Sequence, residues 1–542
     1  MLNFIATSGR KGSKTWLMVC IPLVLSCITH FWNPVGFPPI YIDEGHYLRR
    51  TVQVLNGLGP QESLSVYEFP FDHPYFGQTF LAAVLSLLGY PQSLSPSLET
   101  AENSVKLLYE IPRLMMGVLA VIDTYLVFKI GERRYGRTVG FMSSTIFAVM
   151  PVTWFLRMIL LENIMLPFLL SSILLFTYVN KGNYIMKKFS LITHHRDFFL
   201  VLFSGILFGL ASFTKESTVT FIPLLGYLAF TSTDRRWRCR TKIVVVWIIP
   251  VIIISSAWPL YAVSTNQFNN WLGGVIYQVE RQERGIAEPL NALLEIDPMF
   301  SILSILGTIF AIFRAVVQKS RDLFFFFWTV PYFLFLFFIG GAVKYFHFSL
   351  LVPVLGIEIG LFIIFISKTF RWKEHSINPL HILAGIAVFG FLSTVLMVSN
   401  NLTAGYIEMY SSILHALPQS GDNANMVTMI GKHWARSFYW IPKYVFNQDV
   451  RFKVIDPVLF PKYETKDDKV MLLLDKSGVS LIKDNENQEE YIRQIRNLYN
   501  NSTKKDSITE NWTQASYPSY YPFTSLDSVL GKIGKLDIRT DY

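Results

Sequence analysis

Two adjacent carboxylates, Asp43 and Glu44, stand in the run Tyr41-Ile42-Asp43-Glu44-Gly45-His46-Tyr47, just past a Pro-rich stretch that follows an apolar segment. Carboxylates at the mouth of a hydrophobic span are costly to bury and well placed to take a proton at the membrane surface. Further polar side chains recur at the ends of apolar blocks: Glu68 and Asp72-His73-Pro74, then Arg113, then Arg157 and Glu162, then Lys215 and Glu216, then Lys344, Tyr345 and His347. Carboxylates set against arginines and lysines at one membrane depth suit an anionic lipid headgroup held beside a general acid or base. Neighbouring residues on a helix or strand do not share a face, so Asp43 and Glu44 are not expected to act as equals on one atom. One should be catalytic and the other structural or substrate-binding. Interfacial Arg, Lys and Tyr also serve as snorkelling anchors, a role that gains an acidic side chain little. His46 and His73 read as local hydrogen-bonding residues, since no partner spacing marks them as metal ligands. Asp123 and Glu358 fall inside apolar blocks, where hydrogen bonds in a bundle interior account for them as readily as a role in the chemistry.

The elements that must position these residues are membrane spans. The chain is 51% hydrophobic with a mean hydropathy of +0.35 over 542 residues. Its apolar residues come in blocks of about 17 to 24, the length a bilayer demands. The block from Trp16 to Trp32 follows Arg10, Lys11 and Lys14 without a small-residue cleavage site, so it reads as a retained first span with its basic start in the cytoplasm. Short cytoplasmic loops are enriched in Lys and Arg, and that bias places about eleven spans, near 15–32, 111–129, 138–156, 163–180, 198–213, 217–232, 243–262, 298–314, 323–341, 346–367 and 377–399. The short run from Phe76 to Gly89 is left as a helix along the outer surface, because counting it would turn every later basic loop outward. The predicted fold is therefore a mainly α, polytopic transmembrane bundle over 1–400, with outer loops at 33–110 and 263–297. Beyond 417 the composition becomes that of a soluble α/β domain, 417–542, with strands at 426–430, 452–455 and 470–474 and a helix at 488–499.

Three observations bear on compartment and partners. The N-x-[ST] triplets at Asn401, Asn500, Asn501 and Asn511 all follow the last span, where the chain is expected to be extracytoplasmic. The three cysteines, Cys20, Cys27 and Cys239, lie in the first span and a cytoplasmic loop, so no disulfide framework and no zinc spacing is visible. The +9 net charge reflects the cytoplasmic loops rather than one basic face, which argues against a nucleic-acid partner.

Taken together, the polar elements resemble a family. Asp43-Glu44, Asp72-His73-Pro74, Arg157 to Asn163, Gly209-Leu210-Ala211 to Lys215, and Lys344-Tyr345 to Pro353 are similar in order and placement to elements of the protein O-mannosyltransferase and aminoarabinose-transferase superfamily of GT-C glycosyltransferases. The resemblance covers roughly 15–370. It implies the GT-C fold and transfer of a single, mannose-like sugar from a dolichyl- or polyprenyl-phosphate donor to a protein or lipid hydroxyl on the outer face, inverting the anomeric centre. It further implies Asp43, with Glu44 beside it, at the reacting acceptor and Asp43 as the base. Glu162, Asp72 and His73 then lie on the acceptor side, and Arg113, Arg157, Lys215, Lys344 and Tyr345 at the donor phosphate. No cofactor is identified, and a divalent metal ion is left open. Two positions depart from the pattern: Gln78 stands where the family has a Lys, and Leu160-Leu161-Glu162 replaces Leu-Leu-Asp. The loop at 263–297 is too short for the β-trefoil of eukaryotic protein mannosyltransferases, which points to a prokaryotic member, and archaea, with their dolichyl carriers, fit. The competing readings are an oligosaccharyltransferase-like glycan transferase, whose Trp-Trp-Asp-Tyr-Gly is missing from the tail, and a transporter or flippase, whose inverted repeats are not seen.

The orientation is directly testable. A membrane-impermeant thiol reagent on intact cells should leave Cys239 unlabelled and should label a cysteine placed near Asn501 (Lys505→Cys); the opposite pattern would invert the placement of every candidate site residue.

Overall fold

The computed structural model describes residues 11–61, 71–179, 195–231, 237–279, 287–316, 322–339, 343–369, 371–372, 375–376, 378–401, 404–417, 426–430, 437–448, 450–455, 470–475, 500, 503–510 and 534–540. Its helices are α1 (Lys11–Phe31), α2 (Ile42–Leu55), α3 (Phe76–Ser86), α4 (Ala101–Tyr135), α5 (Arg137–Val149), α6 (Leu161–Tyr178), α7 (His195–Thr214), α8 (Ile222–Thr231), α9 (Trp237–Ser255), α10 (Ala257–Ser264), α11 (Phe268–Val279), α12 (Ala287–Ile296), α13 (Pro298–Val316), α14 (Phe324–Ile339), α15 (Val352–Thr369), α16 (Pro379–Val398), α17 (Ala404–Ala416) and the short α18 (Ile441–Tyr444). Three 3-10 segments matter for the site: Pro151–Arg157, Glu216–Phe221 and Tyr345–Leu350.

Helices stand at all eleven places expected of spans, although not all have the expected length. Among the described residues, seven helices are long and apolar enough to cross a bilayer, and α5 with Pro151–Arg157 forms an eighth candidate bent by 70°. The bend is where Pro151 follows Val149 and Met150, and the 3-10 turn that starts there cannot continue the α-helical ladder. The apolar parts of α1 and α14 fall just short of span length. The sixth expected span, 217–232, is a 3-10 turn followed by the ten-residue α8. Phe76–Ser86 is a separate helix of 11 residues, well below bilayer length.

Helix α4 is the axis of the bundle. Its 35 residues pack against α1, α5, α6 and α17. Pro112 inside it has no N–H for the carbonyl four residues earlier, and the buried Tyr90 hydroxyl donates to that Leu108 carbonyl at 2.8 Å instead. Elsewhere small residues let backbones approach: a Cβ on Gly205 of α7 would lie 2.3 Å from the Trp247 carbonyl of α9. Outward-facing Ile249, Ile252 and Ile253 on α9, Ile305 and Ile309 on α13, and Val388 and Leu392 on α16 form the apolar exterior a lipid-embedded protein needs. This is a multi-pass membrane protein.

Strands β1 (Arg371–Trp372) and β2 (His375–Ser376) form a small hairpin. The tail forms one five-stranded sheet from β3 (Met426–Ile430), β4 (Arg451–Ile455), β5 (Val470–Asp475), β6 (Thr503–Glu510) and β7 (Gly534–Thr540), in the order β4-β3-β5-β7-β6. The first three are parallel and the last two join antiparallel. Strands β3, β4 and β5 are the three apolar runs of the sequence. β6 reads Thr-Lys-Lys-Asp-Ser-Ile-Thr-Glu and carries too little alternation to be seen as a strand. The helix expected at 488–499 lies outside the described residues, as do Glu68, the basic residues at 181–188, 235–236 and 319–321, and Asn501 and Asn511.

The tail and the membrane bundle share a core. Val427, Met429, Phe438, Trp440, Met471 and Leu473 are buried in one cluster with Leu48 of α2, Leu81 of α3, Val105 of α4 and Tyr410 of α17. Gly45 makes the closest of these approaches, since a Cβ there would lie 2.6 Å from the Ser437 Cα. A Gly45→Val variant should therefore push the tail off α2, with a loss of about 1 to 3 kcal/mol typical of overpacking. Limited proteolysis and thermal unfolding of the detergent-solubilised protein would read this as earlier cleavage of the tail and a lower melting temperature.

Candidate active site

Helix α2 begins where the proline-rich segment ends, and its first turn carries both carboxylates, where negative charge is favoured by the helix dipole. The two point apart. Glu44 is fully buried, and its carboxylate accepts from Arg113 Nε at 2.9 Å and Nη2 at 2.6 Å, from the Tyr41 N–H at 3.0 Å and from the Ile159 N–H at 3.0 Å. Those four donors occupy the acceptor capacity of a carboxylate. Arg113 is equally committed: it also donates to the carbonyls of Pro34 at 3.0 Å, Pro38 at 2.8 Å and Pro39 at 3.4 Å. A proline-rich segment has few N–H groups with which to pair its neighbours' carbonyls, and the guanidinium supplies the missing donors.

Asp43, half-buried, lies on the other face of α2, together with His46, Tyr47 and Arg50 at helical spacings of three, four and seven. The buried Arg50 pairs with Asp72 at 2.7 Å, and His46 Nε2 lies 3.6 Å from the same carboxylate. Burial alone would raise the Asp72 pKa, but Arg50, with His46 and His73, holds it well below the usual carboxylate range. The Tyr47 hydroxyl is pushed well above its ordinary pKa by burial and then by the negative charges of Asp43, Glu162 and Asp72. His73 faces Glu216 at 3.2 Å. Burial raises the Glu216 pKa, and His73 and Lys215 more than offset this, leaving it lowered.

The segment before α6 is a strap. Its Ile159 N–H is taken by Glu44, and Asn163 Nδ2 donates to the carbonyls of Phe155 at 2.8 Å and Met158 at 2.7 Å. This explains the local pattern from Arg157 to Asn163: the asparagine closes the turn that presents Glu162. Lys215, at the break between α7 and the following 3-10 turn, is buried with its ammonium on Glu162. His347 Nε2 lies 3.4 Å from the same Glu162 oxygen. Arg157 is buried and donates through Nη2 to the Trp32 carbonyl, whereas its Nε and Nη1 have no hydrogen-bond partner among the described residues. Its guanidinium lies near the Phe37 ring, Phe37 meets Trp154, and Trp154 meets Tyr345, with ring centroids 5.6 and 5.4 Å apart in the latter two pairs. Lys344 opens the 3-10 turn that carries Tyr345. Asp123, inside α4, is buried with no hydrogen-bond partner for either oxygen among the described residues, and Glu358 accepts from Thr308 at 2.5 Å.

The candidates thus fall into three groups. Asp72 joins His46, and Glu162 joins Lys215 and, through His347, Lys344, with His73 close to Glu216 and with Asp43, Asp72 and Glu162 all acting on the Tyr47 hydroxyl. Arg157 and Tyr345 stand at the two ends of the Phe37–Trp154 aromatic run. Glu44 and Arg113 form a closed pair that leaves neither group a free hydrogen-bonding position, so the expectation that they touch substrate does not match the geometry. Arg49 and Arg50 were missed. Their signal was a basic pair in a segment otherwise poor in base, one helical turn after His46 and two after Asp43. Among the described residues no three His, Cys, Asp or Glu side chains converge as metal ligands.

Residues 110–259 match the family model of dolichyl-phosphate-mannose-protein mannosyltransferases. In structure, the chain is similar to ArnT from Cupriavidus metallidurans in the apo state, at 12% identity over 98% of this chain and 99% of that one, with a TM-score of 0.59. The form of that protein bound to undecaprenyl phosphate matches at 13% identity over 88% and 96%, with a TM-score of 0.56. At these identities the likeness shows a shared fold. The chain is also similar in fold to the archaeal oligosaccharyltransferase AglB from Archaeoglobus fulgidus, in complex with an inhibitory peptide and a dolichol-phosphate, at 10% identity, 82% of this chain, 65% of that chain and a TM-score of 0.51. No curated protein matches the sequence.

The Arg50–Asp72 pair gives a test of how this site is held. Asp72→Asn leaves the Arg50 charge buried and half-compensated, and should destabilise the protein by about 3 to 5 kcal/mol. Because the folded-state pKa of Asp72 is depressed, its contribution is complete above the ordinary carboxylate range and is lost as pH falls towards the depressed value. Thermal unfolding across acidic pH should show that loss in the wild type, and less of it in Asp72→Asn.

Proposed function

We propose that this enzyme transfers one mannose-like sugar from a dolichyl- or polyprenyl-phosphate carrier to a hydroxyl of a protein or lipid acceptor, at the extracytoplasmic membrane face, with Asp43 as the base. The reading is carried by the division of labour in the first turn of α2. Glu44 is sealed against Arg113, whereas Asp43, one residue away on the helix, is half-buried and, with Glu162 and Asp72, raises the pKa of the Tyr47 hydroxyl. The description of the matching family supports a dolichyl-phosphate-mannose donor, and the lipids in the similar ArnT and AglB structures support a lipid-phosphate carrier.

The chemistry follows from these positions. A sugar phosphate has a good leaving group already, so the reaction needs a base at the incoming hydroxyl and cations at the departing phosphate. The acceptor hydroxyl loses its proton to the Asp43 carboxylate as its oxygen bonds to the anomeric carbon. The bond from that carbon to the phosphate oxygen breaks, the electron pair leaves with the polyprenyl phosphate, and a one-step displacement inverts the centre. Arg157, with two buried nitrogens that have no hydrogen-bond partner among the described residues, is the leading phosphate ligand, with Lys344, Tyr345 and the remaining ammonium hydrogens of Lys215 as further donors. Asp72, His73 and Glu162 shape the acceptor side. Arg113 and Glu44 are reassigned as positioning residues, because neither has a hydrogen-bonding position to spare.

Reconstituted protein supplied with undecaprenyl phosphate carrying labelled mannose should move label into the protein or lipid fraction of extracytoplasmic membranes, with inverted configuration. Arg157→Gln should weaken donor binding roughly tenfold to a hundredfold, the range of a charge-assisted hydrogen bond. Retention of configuration would contradict direct displacement, and unchanged donor affinity would remove Arg157 from the phosphate site.

A further inference from the structure

His347 is the side chain in this site whose protonation is dictated by its neighbours. Its Nδ1 faces the Lys344 backbone N–H at 2.8 Å. A backbone N–H can only donate, so Nδ1 must be the unprotonated nitrogen and the ring proton sits on Nε2. Nε2 faces Glu162 Oε1 at 3.4 Å, the oxygen that also holds the Lys215 ammonium. The backbone of His347 is itself fixed, since its carbonyl accepts from the Tyr332 hydroxyl at 2.7 Å. Two donors therefore converge on one oxygen of Glu162, and the other, Oε2, is buried with no partner among the described residues. A carboxylate 1% exposed with an empty oxygen pays a desolvation penalty unless something donates to it.

We propose that His347 is a positioning residue that orients Glu162 so that Oε2 accepts a hydrogen bond from a substrate hydroxyl. The inference rests on the glycosyl-transfer reading above and assigns the atom that reads the hydroxyl. Lys215 alone would fix the charge but not the rotation of the carboxylate, because an ammonium is a point charge without directional preference. His347 supplies the second direction, and the same ring ties that orientation to the turn carrying Lys344 and Tyr345. The hydroxyl belongs either to the donor sugar or to the acceptor, and the two sources separate by experiment.

Two variants divide the two contacts of the ring. His347→Asn keeps an acceptor near the Nδ1 position for the Lys344 N–H but cannot reach Glu162. His347→Gln places an amide donor near the Nε2 position and can restore the Glu162 contact. Affinities of the full-length protein are measured for undecaprenyl phosphate and for undecaprenyl phosphomannose, together with turnover of the bound phosphomannose in membranes. His347→Asn and Glu162→Gln should both bind undecaprenyl phosphate as the wild type does. If the hydroxyl is on the donor sugar, both lose phosphomannose affinity, roughly tenfold to a hundredfold. If it is on the acceptor, phosphomannose affinity holds and turnover falls by a similar factor. His347→Gln recovers most of either loss. The inference is overturned if His347→Asn matches the wild type in both lipid affinity and turnover, or if undecaprenyl phosphate binding falls as far as phosphomannose binding. Wild-type protein that binds neither lipid overturns the donor assignment and this inference with it.

Discussion

The buried ion pair between Glu44 and Arg113 ties together three segments that must agree before a site exists. Through Arg113 it gathers the carbonyls of Pro34, Pro38 and Pro39, which set where α2 begins. Through Glu44 it holds the Tyr41 N–H at the helix start and the Ile159 N–H in the strap before α6. Removing one partner of such a pair costs about 3 to 5 kcal/mol, a large part of the 5 to 15 kcal/mol by which a typical protein is stable. The pair also fixes the rotation of α2. With Glu44 anchored towards Arg113, helical geometry places Asp43, His46, Tyr47 and Arg50 along a different face.

From that rotation the rest of the site follows. Arg50 reaches Asp72 and fixes the loop that carries His73, and the strap held by Glu44 and Asn163 presents Glu162 to Lys215 and His347. The tail is part of the same construction. Ser437 lies against Gly45, and Arg49 donates to the Tyr439 hydroxyl, so the tail braces α2 from the side facing away from Asp43. Catalytic geometry of this kind is held by surrounding contacts rather than by the reacting residues themselves.

Much of this was legible in the sequence, and the gaps have physical causes. Apolar block length and the Lys and Arg bias placed helices correctly because a bilayer imposes both, but neither shows where Pro151 bends a span or why 217–232 shortens to a 3-10 turn and α8. The divergence of Asp43 and Glu44 followed from helical periodicity. Which of them is sealed did not, because Arg113 is distant in sequence and its three carbonyl partners depend on the path of a proline-rich segment. Arg113 looked like a phosphate ligand for the same reason that a buried ion-pair partner would: a single basic residue at a span end serves either role. Arg50 and His347 were hard to see because their meaning lies in Asp72 and Glu162, contacts made across the fold. In the tail, β3, β4 and β5 are apolar runs, whereas β6 is a polar strand specified by its partner β7.

The central claim is that two neighbouring carboxylates divide structure from chemistry, and one paired measurement on Asp43→Asn and Glu44→Gln tests it. Melting temperature and transfer of labelled mannose from polyprenyl phosphate are recorded for both variants in the same reconstituted preparation. Asp43→Asn keeps size and hydrogen bonding but removes the basic oxygen, so it should melt like the wild type and lose about a hundredfold to ten-thousandfold in transfer. Glu44→Gln should melt lower, with the molecules that remain folded retaining most of their turnover. Wild-type turnover in Asp43→Asn, or an unchanged melting temperature in Glu44→Gln with transfer abolished, would contradict the account.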